Sequence, residues 1–220
     1  MTAEVHPRAA LFDLDGTLIN SEPRSMATWS RLLDAHGIPH DDTVLHRFMG
    51  RRGADVLAED PSLFPGVTWD VLVAEIQEIG RHPDLPPVLD LPESATFLRR
   101  LHAEGTPFGL VTSAGRAWAE LSLTRLGVDA LFKGLVTAGD VVHGKPHPQG
   151  YLAGADLLGI APEHIVVFED TPAGIEAGKA AGMRVVAITT THDKAKLSGA
   201  DLVVDHLTEV DWPRLALRGR

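Results

Sequence analysis

The sequence predicts an α/β protein in which helices cover a parallel β-sheet. Two observations carry this prediction. Short apolar runs of strand length alternate with helical segments, and several of these runs end in polar residues, as at the carboxyl edge of an open α/β sheet. A third observation is an all-helical interval, residues 21–90, inserted after the first strand. The 220 residues suffice for one large domain or for a domain with an insertion.

The predicted strands are short apolar runs bounded by turn residues. They are Ala9–Leu14, Phe108–Thr112, Gly134–Thr137, Ile165–Glu169, Arg184–Ile188 and Leu202–Val204. The predicted helices between them are Glu93–Ala103, Arg116–Leu126, Pro148–Leu158 and Gly174–Ala181. A glycine follows each helix where a left-handed cap is expected, namely Gly105, Gly127, Gly159 and Gly182.

The inserted interval is predicted to contain only helices. They are Pro23–His36, Asp41–Phe48, Gly53–Glu59 and Trp69–Gly80. Ser21 suits the N-cap of the first helix, with Pro23 in its first turn. We expect Trp29 and Trp69 to pack in the core of this insertion, and the proline-rich stretch 81–87 to form the return hinge.

The composition excludes several classes of function. A net charge of -10 and a pI near 5.5 argue against broad binding to nucleic acid or to an anionic membrane. The absence of cysteine excludes disulfides, thiolate metal sites and a cysteine nucleophile. The segment Met1–Arg8 lacks an apolar signal-peptide region and no run reaches membrane length, so we expect a cytoplasmic protein.

The most informative motif is Asp13-Leu14-Asp15-Gly16-Thr17, at the end of the first predicted strand. Side chains two residues apart on a strand point the same way, so the carboxylates of Asp13 and Asp15 should lie together. Two like charges this close are costly unless a cation or a shared proton relieves them. The motif therefore indicates a divalent cation and a nucleophile, although solvated aspartates at a strand end would give the same letters.

Three other segments place reactive groups at predicted strand ends or in a loop. Thr112 offers a hydroxyl, and Ser113 and Ala114 offer backbone N–H groups at the start of a helix, which is a ready anion site. Lys145 lies between Gly144 and Pro146, away from any regular helix face. The strand Ile165–Glu169 runs directly into Asp170 and Thr171.

A strand-end Asp, a strand-end Thr, a loop Lys and a second strand-end Asp, in this order, resemble the four motifs of the haloacid dehalogenase superfamily. The run from Gly144 to Pro148 and the run from Val167 to Ile175 look closest to its sugar phosphatases and glycerol-phosphate phosphatases. The resemblance implies a Rossmann-like core of residues 1–20 and 91–220, with residues 21–90 forming an inserted helical cap domain.

By this resemblance the chain is a magnesium-dependent phosphatase of small sugar or polyol phosphates that forms an aspartyl-phosphate. Asp13 is the expected nucleophile. Asp15 is expected to protonate the leaving group and later to activate water. Lys145 is expected to hold the phosphate and restrain Asp13.

The resemblance also implies the ligands of Mg²⁺ and of the substrate. Asp13, the backbone carbonyl of Asp15, and Asp170 would hold the metal. Glu169 either orients a metal-bound water or faces solvent. In the cap, Arg51 and Arg52 stand between two glycines and are expected to contact a hydroxyl or a phosphate of the substrate. The alternative, that both are solvated charges in a loop with no role in binding, stays open.

Other functions stay open on the sequence alone. Asp15 argues against a dehalogenase, and the lack of lysine between Ser21 and Gly80 argues against a phosphonatase. A sugar phosphomutase similar to β-phosphoglucomutase would place a histidine at the cap hinge, where this chain has Arg24-Ser25-Met26. The remaining alternative is a non-catalytic domain of the same fold. We expect a monomer or a weak dimer.

Overall fold

The computed structural model describes residues 7–217. Its strands are β1 (Ala9–Phe12), β2 (Ile19–Asn20), β3 (Leu89–Asp90), β4 (Phe108–Val111), β5 (Leu135–Val136), β6 (Ile165–Glu169), β7 (Arg184–Ile188), β8 (Leu202–Val204), β9 (Val210–Asp211) and β10 (Ala216–Leu217). Residues 1–6 and 218–220 of the predicted core, and with them most of the segment Met1–Arg8, lie outside the described residues.

The predicted parallel sheet is confirmed. Six strands pair in the order β5-β4-β1-β6-β7-β8, and all of their pairings are parallel. Each of the six predicted strands is present, with ends that differ from the prediction by at most two residues. Strand β1 lies between β4 and β6, and all four of its residues are buried because helices cover both faces of the sheet.

The predicted helices are also confirmed to within two residues at each end. They are α1 (Glu22–Ala35), α2 (Asp42–His46), α3 (Gly53–Glu59), α4 (Trp69–Ile79), α5 (Pro92–Ala103), α6 (Arg116–Leu126), α7 (Gln149–Leu158) and α8 (Pro172–Ala180). Helices α5 and α8 begin earlier than predicted because proline is well tolerated in the first helical turn. The four glycines predicted to follow helices all have positive φ.

Two apolar clusters hold the sheet in place, one on each face. Because side chains alternate along a strand, Phe12 of β1 points into one cluster and Leu11 into the other. Phe12 stacks on Phe168 of β6 with ring centroids 4.7 Å apart. This packing fixes the carboxyl ends of β1 and β6, where Asp13 and Asp170 follow.

Helices α1–α4 have a separate apolar cluster, which includes Leu32, Phe64 and Leu72. Trp29 packs against it and stacks on Phe48 at 3.8 Å, as predicted. The prediction that Trp69 packs in this core is wrong, because Trp69 is the first residue of α4 and is 37% exposed.

Strands β2 and β3 join the inserted helices to the sheet. They pair antiparallel, Ile19 with Asp90 and Asn20 with Leu89, and at two residues each they are too short to give a sequence pattern. Arg24 of α1 braces the return segment by donating to the carbonyl oxygens of Gly80 (2.8 Å) and Pro86 (2.9 Å). Among residues 7–217, no helix combines the length and the apolar character needed to cross a lipid bilayer.

Candidate active site

Asp13 follows β1 at the carboxyl edge of the sheet, where its backbone N–H donates to the carbonyl oxygen of Phe168 (3.0 Å). Its carboxylate is buried and accepts a hydrogen bond from Lys145 Nζ at 2.5 Å. Lys145 Nζ also donates to Glu169 Oε1 at 2.5 Å. One buried ammonium is therefore shared between two carboxylates that come from adjacent strands.

Glu169 and Asp170 stand at the end of β6, and both are fully buried. Glu169 Oε2 accepts from the backbone N–H of Asp170 (3.0 Å) and from the backbone N–H and hydroxyl of Thr171 (3.2 and 3.1 Å). The alternative that Glu169 faces solvent is therefore wrong, because the turn after β6 folds back over its carboxylate. Asp170 accepts from the hydroxyls of Thr17 (3.1 Å) and Thr191 (2.5 Å).

The sequence-predicted residues Asp13, Glu169 and Asp170 meet in one buried cluster. Each offers a carboxylate oxygen, and these three oxygens lie within 4.8 Å of one another. Hard oxygen donors of this kind suit Mg²⁺, which keeps several waters and needs few protein ligands. Among the residues that the structure describes, this is the one group of three or more acidic or histidine side chains placed to hold a metal ion.

The electrostatics of the cluster agree with a cation site. Burial raises the pKa of Asp170 well above its usual range, and the charges of Glu169 and Asp13 raise it further. Burial raises the pKa of Asp13 as well, while Lys145 opposes the shift. Burial alone would lower the pKa of Lys145, but the charges of Asp13 and Glu169 outweigh it and raise that pKa. Three carboxylates around one ammonium leave excess negative charge, which a divalent cation would neutralise.

The Asp15 carboxylate is not part of this cluster. Its Oδ1 accepts from the hydroxyl of Ser21 (2.5 Å) and from the indole N–H of Trp118 (3.0 Å). Ser21 is the N-cap residue of α1, as predicted, but its side chain makes no capping hydrogen bond because its hydroxyl is used by Asp15. Burial raises the pKa of Asp15, and the two hydrogen bonds oppose that shift. No sequence pattern linked Asp15 to Trp118, which is 103 positions away on α6.

The predicted anion site after β4 is assembled but partly used by internal contacts. The Ala114 N–H donates to Thr112 Oγ1 (3.1 Å), and Ser113 Oγ donates to the carbonyl oxygen of Gly50 in the inserted segment (3.0 Å). Thr112 and Ser113 line a cavity together with Lys145 and Arg52. The cavity measures only about 10 Å³, which is at the lower limit of the roughly 10–15 Å³ that one water molecule needs.

The two arginines of the insertion differ in their placement. Arg52 donates to the carbonyl oxygens of Val141 (2.7 Å) and Val142 (3.2 Å), in the loop that carries Lys145. Arg51 instead forms an ion pair with Glu59 inside the insertion and is not among the residues that line the cavity. The structure thus brings Arg52, but not Arg51, to the predicted site.

Sequence reasoning missed Tyr151, the one tyrosine of the chain. It lies on α7, is fully buried, and donates from its hydroxyl to Glu169 Oε1 at 2.8 Å. The sequence offered one indication, the position of Tyr151 shortly after Lys145, but no sequence pattern predicted that its side chain would contact Glu169.

Comparison with known proteins agrees with this fold. The family model of haloacid dehalogenase-like hydrolases matches residues 7–182. The chain is 44% identical over 208 residues to validoxylamine A 7'-phosphate phosphatase of Streptomyces hygroscopicus subsp. limoneus, covering 94% of this chain and 98% of that one. It is 35% identical over 214 residues to hexitol phosphatase A of Escherichia coli, covering 91% of each.

Among solved structures, β-phosphoglucomutase of Clostridium difficile superposes with a TM-score of 0.77 at 24% identity, covering 94% of each chain, which shows a shared fold. The family match spans strands β1 to β6, the insertion and all four motifs, from Asp13 to Asp170. The chain therefore belongs to the haloacid dehalogenase-like hydrolase family.

Proposed function

We propose that this enzyme is a Mg²⁺-dependent phosphatase of small sugar or polyol phosphates that works through an aspartyl-phosphate. The observation that carries the proposal is the buried Asp13–Lys145 pair beside Glu169 and Asp170. The relatives support the substrate class, since one is named for validoxylamine A 7'-phosphate and another for hexitol phosphates.

In the proposed first step, an Asp13 oxygen attacks phosphorus while the bond from phosphorus to the ester oxygen breaks. Asp15 gives its proton to the departing oxygen, and its raised pKa supports a protonated form before attack. In the second step, water attacks phosphorus, Asp15 takes the proton of that water, and Asp13 is released. Lys145 holds Asp13 in line and contacts the phosphate.

Mg²⁺ would be held by Asp13, by Asp170 and by the backbone carbonyl of Asp15. When bound, it supplies positive charge to the phosphoryl oxygens. Glu169 is proposed to position its neighbours, because both of its oxygens are occupied by protein donors. The Thr112 hydroxyl and the backbone N–H groups of Ser113 and Ala114 would bind the phosphate. The hydrogen bonds that this segment makes in the present structure must first be released.

We further propose that residues 21–90 act as a mobile cap over a core formed by residues 1–20 and 91–220. A small ligand of drug size needs about 300 Å³ or more, so the cavity of about 10 Å³ corresponds to a closed cap. Cap opening must precede substrate entry, and closure then excludes water. Arg52 is proposed to contact the sugar or polyol; Arg51 would do so only after leaving Glu59.

The phosphomutase alternative finds less support. The hinge carries Arg24-Ser25-Met26, and Arg24 is engaged with the carbonyl oxygens of the return segment. The likeness to β-phosphoglucomutase at 24% identity concerns the fold alone.

The experiment is to measure phosphate release from hexose, hexitol, glycerol and nucleotide phosphates, with Mg²⁺ and with a chelator. We expect a metal-dependent maximum on hexose or hexitol phosphates. Folded protein that releases no phosphate from any compound, or that only interconverts sugar phosphate isomers, would overturn the proposal.

A further inference from the structure

Tyr151 occupies a position next to the reacting groups that the mechanism above does not use. Its hydroxyl donates to Glu169 Oε1 at 2.8 Å, and the same oxygen accepts from Lys145 at 2.5 Å. Lys145 Nζ also lies 5.3 Å from the centroid of the Tyr151 ring. The tyrosine therefore contacts both partners of one ion pair and is itself fully buried.

The charges around Lys145 explain what such a contact does. Lys145 is held at equal distances, 2.5 Å, by Asp13 and by Glu169. A hydrogen bond to Glu169 Oε1 takes up part of the negative charge on that oxygen and so weakens its attraction for the ammonium. Without the hydroxyl, Lys145 would shift toward Glu169 and away from Asp13.

We propose that Tyr151 is a positioning residue that, through Glu169, keeps Lys145 shared with Asp13 during phosphoryl transfer. Its hydroxyl donates to Glu169 and reaches the nucleophile only through Lys145. Part of this inference rests on the proposed function, because the expected effect of Tyr151 on the reaction requires that Asp13 attacks the phosphate. The geometry on which it depends, Tyr151 to Glu169 to Lys145 to Asp13, is independent of any substrate.

The kinetic test is Tyr151→Phe, which removes the hydroxyl and keeps the ring over Lys145. With Mg²⁺ and p-nitrophenyl phosphate, we expect kcat to fall about tenfold while KM changes less than about twofold, because the lost contact acts on the reacting state. Replacement of tyrosine by 3-fluorotyrosine, which keeps the hydroxyl, should retain kcat within about twofold. A Tyr151→Phe variant with parental kcat, or with an effect confined to KM, would overturn the inference.

A second readout does not need turnover. Because Tyr151 is the one tyrosine in the sequence, fluorotyrosine-labelled protein gives a single ¹⁹F resonance from this site. Asp13→Asn should move that resonance, since the change is passed through Lys145 and Glu169. Asp201→Asn, which breaks an exposed ion pair with Lys179, is the matched control and should leave it in place.

These two readouts separate the two proposals. If the parent enzyme releases no phosphate but Asp13→Asn shifts the resonance, the proposed function fails and the positioning network stands. If Asp13→Asn leaves the resonance unmoved, the network is refuted, whatever the activity of the enzyme.

Discussion

Glu22, the first residue of α1, provides a quantitative test of how the hinge and the site are built. It directly follows Ser21, the hydroxyl donor of Asp15. Its Oε1 is buried with no hydrogen-bond partner among the described residues. Burial, with a smaller contribution from the Asp15 charge, raises the pKa of Glu22 from 4.5 to about 7. A buried acceptor without a partner is costly, and here the cost depends on pH.

The direction in which pH changes the free energy of unfolding follows from proton linkage. Between pH 4.5 and 7 the native protein holds this proton more tightly than the unfolded chain does, so the free energy of unfolding falls as pH rises through this window. Above pH 7 the loss is complete. The raised pKa corresponds to about 3 kcal/mol, and partial exposure of the side chain reduces this to about 2 kcal/mol.

The perturbation is Glu22→Gln, which keeps the shape and removes the titration. Urea unfolding, monitored by circular dichroism with chelator present, should give similar free energies of unfolding for parent and variant near pH 5. By pH 8 the variant should be more stable by about 2 kcal/mol. Asp70→Asn, at an exposed first-turn residue of α4, is the control and should add no pH dependence. Equal pH dependence in parent and Glu22→Gln would refute the account of a buried, destabilised carboxyl.

Two further predictions concern Asp15, the proposed general acid, and the cap. Trp118→Phe removes an N–H donor from Asp15, and it should lower kcat about fivefold and shift the pH–rate profile with little change in KM; an unchanged profile would show that the indole contact is irrelevant to Asp15. Arg52→Ala removes the contact with Val141 and the charge lining the cavity. It should lower kcat/KM for sugar phosphates about tenfold while p-nitrophenyl phosphate changes less than about twofold, and equal losses on both would remove Arg52 from substrate recognition.

Much of the fold could be predicted from the sequence because its signals are local. The buried strands are continuous apolar runs, and glycines with positive φ end the helices. The meeting of Asp13 with Asp170 was also predictable, since the carboxyl ends of parallel strands share one edge of the sheet.

The remaining contacts depend on distant packing that leaves no local pattern. Trp118 reaches Asp15 and Tyr151 reaches Glu169 only because α6 and α7 pack beside the sheet at particular angles. Ser21 occupies the N-cap position of α1, but the partly buried carboxylate of Asp15 takes up its hydroxyl. The partner of Arg51, Glu59, is eight residues away at the far end of α3, and local charge spacing did not reveal that the pair would form.

The central claim is that Asp13 is the nucleophile of a phosphatase. The most direct measurement is Mg²⁺-dependent phosphate release by the parent and by Asp13→Asn on the best hexose or hexitol phosphate, with unfolding curves for both. The account predicts a loss of at least about a thousandfold in kcat for a folded variant. Full activity of Asp13→Asn would contradict it.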